Sequence, residues 1–244
     1  MLHNPPSFQR LTKDTSFFFV RHGESVGNAD HVIQGRREYS LSEKGKDQAR
    51  RTAGFFVQQF PDLLLTSPLR RARETAEIIG KSIGYGGEPQ TVDNLKELDT
   101  GIFSGYTFEE VPKRYPEEWR RFRIESWESV PEAESVESLY GRAAAVWEYL
   151  IDTAEQGYRR IVSVTHGGLL QWIFRSSLGG HHDRWMPLIK GSNCGIFQLS
   201  AHPVNYDEER HPADGFYAEW RLVNHRPGLD APVEDYSSLR GPKG

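Results

Sequence analysis

A single cysteine, Cys194, stands in the 244 residues, so no intrachain disulfide can form, as expected of a protein kept in a reducing cytoplasm. Long apolar runs are missing too. None approaches the ~20 residues needed to cross a bilayer, so no membrane role is expected. The opening stretch MLHNPPSFQRLTKDTS lacks a positive start followed by an apolar core and does not read as a signal peptide. Positive charge is not in excess. The formal net charge of −4 removes the broad basic footprint of a nucleic-acid binder. Any anion site must therefore be a local concentration of cations. Metal-ligand spacing is absent: GGHHDRW (179–185) places its histidines side by side, where they rarely converge on one ion. GYGGEP (84–89) follows a helical pattern rather than a strand, so it is no dinucleotide fingerprint. No cofactor and no metal are expected.

What is present reads as an α/β protein. Hydrophobic residues are 37% and charged residues 26%, the balance of a soluble globular chain. With no Gly/Ser or Pro linker and no internal repeat, residues 1–244 are expected to form one domain. Four short apolar runs suit buried strands: SFFFV (16–20), DLLLT (62–66), RIVSVT (160–165) and GIFQLS (195–200). GFYAEWRLV (215–223) alternates and suits an edge strand. Helical patterns lie between them, at 42–60 (weakened by Gly45 and Gly54), 67–83, 137–157 and 167–180. In the second, Ser67 is expected to cap and Pro68 to take the first helical position. This alternation predicts a three-layer fold, a mostly parallel sheet with helices on both faces. Residues 101–136 are charged, aromatic and Pro-punctuated, and are expected to form a helical cap insertion over the site. The Pro- and Gly-rich tail, 226–244, is expected to fray.

In parallel α/β sheets, ligands bind beyond the carboxyl ends of the strands. The first strand here ends in Arg21-His22-Gly23. The second leads through Thr66-Ser67-Pro68 to Arg70-Arg71, and RIVSVT ends in His166-Gly167-Gly168. Arg70 and Arg71 fall in the first turn of a helix, where the macrodipole disfavours cations by ~0.3–1 kcal/mol each. Cations there make sense if an anion shares the site, and the free N–H groups of that turn also favour one. Phosphate is the natural candidate.

VRHGES, followed by SPLRRARETA, LKELDTGIFSG and VTHGG, resembles the histidine phosphatase superfamily, the phosphoglycerate mutase-like group, in order and spacing from about residue 16 to about 200. The resemblance implies roles position by position. His22 is the histidine that takes the phosphoryl group, and Arg21 beside it holds the phosphoryl oxygens. Asn28 closes the phosphate loop. Arg71, directly before Ala72, is the second phosphate-binding arginine, and Arg70 is not. His166 is the second histidine, with Gly167 beside it. Glu97 is the acid that protonates the leaving group. Chemistry supports these types. Phosphoryl transfer spreads charge over three oxygens, which forked guanidinium donors can hold. His22 needs one bare ring nitrogen, its tautomer fixed through the other, with a backbone carbonyl as the expected partner.

Within that family the resemblance implies a phosphatase more than a mutase. Gly27 and Arg36 stand where mutases have tryptophans, and Thr100 stands where they have a tyrosine. EEWRRFR (117–123) speaks for the mutase, whose paired arginines hold a carboxylate, so Arg120, Arg121 and Arg123 are candidate substrate contacts, with Phe103, Tyr106, Trp119, Phe122 and Trp127. EAESVESL (132–139) holds Ala133 where family phosphatases often have the Gly of Gly-Glu-Ser. A metal-independent phosphomonoester hydrolase acting on a small-molecule ester is expected. The alternatives are a phosphoglycerate mutase-type transferase and a non-catalytic phosphate-binding pseudo-phosphatase. A homodimer is open, because dimers are common in proteins resembling this one.

Overall fold

Phe17, Phe18, Phe19 and Val20 are all fully buried in strand β1 (Thr15–Arg21), which explains their unbroken apolar run: both faces of this strand are covered. The structure is a computed structural model in which residues 6–179, 188–202 and 217–227 are described. GGHHDRW from residue 180 and the tail from residue 228 lie outside them. Six strands form one sheet in the order β3-β2-β4-β1-β5-β6. The others are β2 (Leu63–Thr66), β3 (Gln90–Thr91), β4 (Arg160–Thr165), β5 (Ile196–His202) and β6 (Tyr217–His225). β1 to β4 run parallel, and β5 and β6 are antiparallel additions at one side.

The helices are α1 (Val26–Ala29), α2 (Glu43–Gln58), α3 (Arg70–Ile83), α4 (Val111–Arg114), α5 (Pro116–Glu125), α6 (Val136–Glu155) and α7 (Gly167–Ser177). Period-two alternation along β1 sorts its side chains between two layers. Phe17 and Phe19 meet the edge of Trp147 on α6, at centroid distances of 5.8 and 5.2 Å. Phe18 meets Phe55 and Phe56 on α2, at 5.9 and 5.7 Å. The first layer continues through Ile173 on α7 and the second through Ala72, Ala76 and Ile79 on α3. Each buried Phe adds roughly 1.5–3 kcal/mol relative to exposure.

Two local expectations are corrected. α3 begins at Arg70 with Leu69 as its cap residue, and no side chain caps it. Ser67 lies two residues before that cap position, and its hydroxyl oxygen lies 2.7 Å from His166 Nε2 and accepts the N–H of Leu69. Gly45 does not weaken α2 so much as make its position attainable. A Cβ there would lie 1.9 Å from the carbonyl oxygen of Glu24, so only glycine lets the helix start pack on the β1 exit loop.

Residues 101–136 form a separate small core. Phe103, Val111, Phe122 and Val130 are buried together, with Tyr106, Tyr115, Trp119 and Trp127 packed around them. Backbone bonds from Ile33 to Tyr106 and from Gly105 to Ile33, 2.8 and 2.7 Å, tie this cap to the loop after α1.

Candidate active site

The strands β2, β4 and β1 are neighbours and parallel, so their carboxyl ends open on one side of the sheet. That brings His22, Arg71 and His166 together. The two imidazole rings lie 5.1 Å apart between centroids. His22 is 2% exposed, Arg71 1% and His166 0%, so this is a dry cluster of potentially cationic groups.

His22 has a defined tautomer. Its Nδ1 lies 2.7 Å from the carbonyl oxygen of Gly23, which can only accept. Nδ1 therefore carries the proton and Nε2 is bare. Arg71 Nε donates to that bare Nε2 at 3.2 Å. The rest of the Arg71 fork donates to two backbone carbonyls, Nη1 to Arg37 at 2.9 Å and Nη2 to Gly35 at 2.8 Å. Among the described residues no carboxylate is hydrogen-bonded to this buried guanidinium. Burial holds Arg71 down, to about 10, against the opposing pull of Glu97 and Glu38, so it stays charged at neutral pH. Arg70, one residue earlier, is exposed and spends its side chain on Glu74 at 2.7 Å. Arg21 donates Nη1 to the carbonyl of Gly191.

Glu97 is held against the start of α7. Its Oε2 accepts from Gly168 N at 3.1 Å. Its Oε1 accepts from Leu169 N at 3.0 Å and Leu98 N at 2.8 Å. The second glycine of His-Gly-Gly makes this possible, because a Cβ on Gly168 would lie 2.4 Å from Glu97 Oε1. Gly167 lies beside the Arg21 side chain. A buried carboxylate fixes the segment that carries Glu97. Glu134 binds Arg142 at 2.7 Å and Arg36 at 3.0 Å, and Arg142 donates to the carbonyls of Asn94 and Lys96. Thus EAES supplies a positioning acid whose role the residue pattern alone did not reveal.

Asn28 is engaged within its own loop. Its Oδ1 accepts from Ser25 N and Ser25 Oγ, at 3.2 and 3.0 Å, and from Asn193 Nδ2 at 3.2 Å. Asn193 also donates to the backbone oxygen of His22 at 3.0 Å, linking the loop after β1 to the approach to β5. No motif in the sequence marked Asn193. The cap arginines are not gathered here. Arg120 pairs with Glu117 at 2.9 Å and Arg121 with Glu125 at 4.0 Å, both on the exposed surface of α5. The cap aromatics are largely spent on their own core. Among the described residues no His/Cys/Asp/Glu cluster suits a metal ion, and no helix is long and apolar enough to cross a membrane.

Burial holds both His22 and His166 well below the ordinary imidazole range, with Arg71 and Arg21 adding to it. Both rings are neutral in the folded state, whereas unfolded histidine protonates near pH 6.5. The unfolded chain therefore gains protons first as pH falls. Stability is expected to drop below about pH 6.5 by up to roughly 1.4 kcal/mol per pH unit for each ring, until the folded-state values are reached. Urea unfolding at several pH values checks this; stability that stays flat on acidification, after correction in a double His22→Ala, His166→Ala variant, contradicts it.

Residues 17–211 match the histidine phosphatase superfamily (branch 1). The chain is 34% identical over 183 residues to phosphoglycerate mutase-like protein 4 of Arabidopsis thaliana, covering 74% of this chain and 77% of the relative. It is 30% identical over 202 residues to 2-carboxy-D-arabinitol-1-phosphatase of Triticum aestivum, covering 81% of this chain but only 39% of the wheat protein. The fold overlays the structure of mycobacterial glucosyl-3-phosphoglycerate phosphatase complexed with VO3 at a TM-score of 0.70, with 25% identity, covering 86% of this chain and 99% of that one.

Proposed function

This chain belongs to the histidine phosphatase superfamily, branch 1, and from that membership we propose that it is a metal-independent phosphomonoester hydrolase working through a phosphohistidine on His22. The observation that carries the reading is the bare, buried Nε2 of His22 beside a buried guanidinium that, among the described residues, no carboxylate hydrogen-bonds. A buried cation with no directly paired carboxylate is costly, and a dianionic phosphoryl group is suited to pair with it.

In the first step the Nε2 lone pair attacks phosphorus and the ester P–O bond breaks. Arg71 turns its Nε–H from His22 to a phosphoryl oxygen, and Arg21 and His166 serve the others. Glu97 gives a proton to the departing oxygen. Oε2 is the atom suited to carry it, because it accepts one backbone N–H whereas Oε1 accepts two. In the second step Glu97 takes a proton from water, the water oxygen attacks phosphorus, and the P–N bond breaks to release inorganic phosphate. Arginines neutralise the charge that a metal would otherwise meet.

The hydrolase is favoured over the mutase because Arg120 and Arg121, which spoke for a carboxylate-holding pair, are paired with acids of their own helix. The names of the wheat and mycobacterial relatives both carry a phosphate ester of a carboxylate-bearing compound, so such esters belong first in the substrate panel. Phosphate release in the presence of a chelator tests the proposal. Absence of release from every sugar, nucleotide, aryl and carboxylate-bearing ester overturns it.

The acid role makes its own prediction. Glu97→Gln is expected to slow hydrolysis of alkyl phosphates by roughly 10²–10⁴-fold, the usual range for general acid–base catalysis. An aryl ester with a good leaving group needs less protonation, so its phosphorylation step should be spared. Single-turnover rates on the two ester types measure the difference. Equal losses on both would remove Glu97 from the acid role.

A further inference from the structure

We infer that Ser67 is a positioning residue that fixes the tautomer of His166, so that His166 presents its Nδ1–H to the phosphoryl oxygens. The inference rests on the phosphatase reading for what Nδ1–H meets, but its structural part stands on hydrogen-bond geometry.

Ser67 and His166 are both fully buried, and Ser67 Oγ lies 2.7 Å from His166 Nε2. The same hydroxyl oxygen accepts the N–H of Leu69 at 3.2 Å. One hydrogen remains on that oxygen, and among the described residues the acceptor in reach is His166 Nε2. The hydroxyl therefore donates to Nε2. That nitrogen is then bare, and the proton of the neutral ring sits on Nδ1.

His166 Nδ1 is buried and has no hydrogen-bond partner. The charged or titratable groups acting on the ring are Arg71 from α3, Arg21 and His22 from the end of β1, and Arg142 from α6. None of them offers Nδ1–H an acceptor: the guanidinium groups only donate, and both nitrogens of His22 are engaged, one with Gly23 and one with Arg71. Glu97 has both oxygens turned to backbone N–H groups. Among the described residues no acceptor completes His166 Nδ1–H, and the phosphoryl group is an array of acceptors.

The two histidines thus share one tautomer, Nδ1–H with a bare Nε2, set by two different local partners. Gly23 leaves His22 with a bare Nε2 for attack, and Ser67 leaves His166 with a protonated Nδ1 for donation. The hydroxyl also serves the second protonation state. If His166 takes up a proton as the phosphoryl charge enters the site, the Ser67 O–H rotates and its oxygen accepts from Nε2–H.

Long-range ¹H–¹⁵N correlation spectra of the full chain, labelled at histidine nitrogens, test the assignment, with His166→Asn identifying the resonances. Wild type is expected to show a protonated Nδ1 and a bare Nε2 at His166. A protonated Nε2 there overturns the inference, whether or not the chain hydrolyses any ester. Ser67→Ala is expected to lose the single tautomer and to slow turnover of an aryl phosphate by roughly 10–100-fold, as removal of an imidazole's orienting partner does. Ser67→Thr, which keeps the hydroxyl, is expected to keep the wild-type tautomer. An unchanged tautomer and rate in Ser67→Ala also overturn the inference while leaving the phosphatase reading intact. If Ser67→Ala does not fold, the wild-type spectrum still decides.

Discussion

Replacing His22 with alanine is expected to lower phosphate release by roughly 10⁴-fold or more, because the attacking atom itself is removed. The fold should survive. His22 is a small part of a core carried by the aromatic layers around Phe18 and Trp147, and its loss leaves Arg71 Nε short of one acceptor, at a cost of about 1–3 kcal/mol. Urea unfolding separates the two effects. The variant is also expected to be less acid-sensitive, since one of the two buried neutral rings is gone. Substantial remaining turnover with an intact fold would exclude His22 as the nucleophile.

The second large effect concerns Arg71. Its single side chain spans the nucleophile and the carbonyls of Gly35 and Arg37. Arg71→Lys keeps a charge but not the planar fork that makes three directed donations at once. Both Arg71→Lys and Arg71→Met are expected to lose roughly 10²–10³-fold in turnover, the scale for removing one donor aimed at developing charge. Binding separates this from a packing defect. Inorganic phosphate at about 100 times its dissociation constant should stabilise the wild type by about 2.7 kcal/mol. Arg71→Met should gain little of that. Equal stabilisation of wild type and variant would mean that Arg71 is a structural arginine and that phosphate sits elsewhere.

Much of this site could be read along the chain because the fold is regular where the chemistry sits. The unbroken SFFFV announced a strand covered on both faces, and its burial on two layers follows from that. Once three runs were read as parallel strands, the residues leaving them had to share an edge, and the order β2-β4-β1 puts them side by side. Other features had no local signature. β3 is two exposed residues, Gln90 and Thr91, with no apolar pattern to mark it. Asn193 reaches His22 and Asn28 from a turn far along the chain, which no spacing rule detects. Ser67-Pro68 carried the usual signature of a helix start, yet the helix starts at Arg70 and the Ser67 hydroxyl meets a tertiary partner, His166. The aromatics of 101–136 looked like pocket walls, and most became a small core because that segment has few other apolar residues to bury.

The central claim is a covalent intermediate on one ring nitrogen, and trapping it is the most direct test. Wild-type protein would be mixed with a substrate that it turns over, quenched in base, where phosphohistidine survives, and digested for mass spectrometry. One phosphoryl group on the peptide containing His22, absent from His22→Ala, is the predicted result. Steady hydrolysis with no phosphoryl group on His22 at any time of quench, and none lost in the variant, would contradict it and point to direct attack by water.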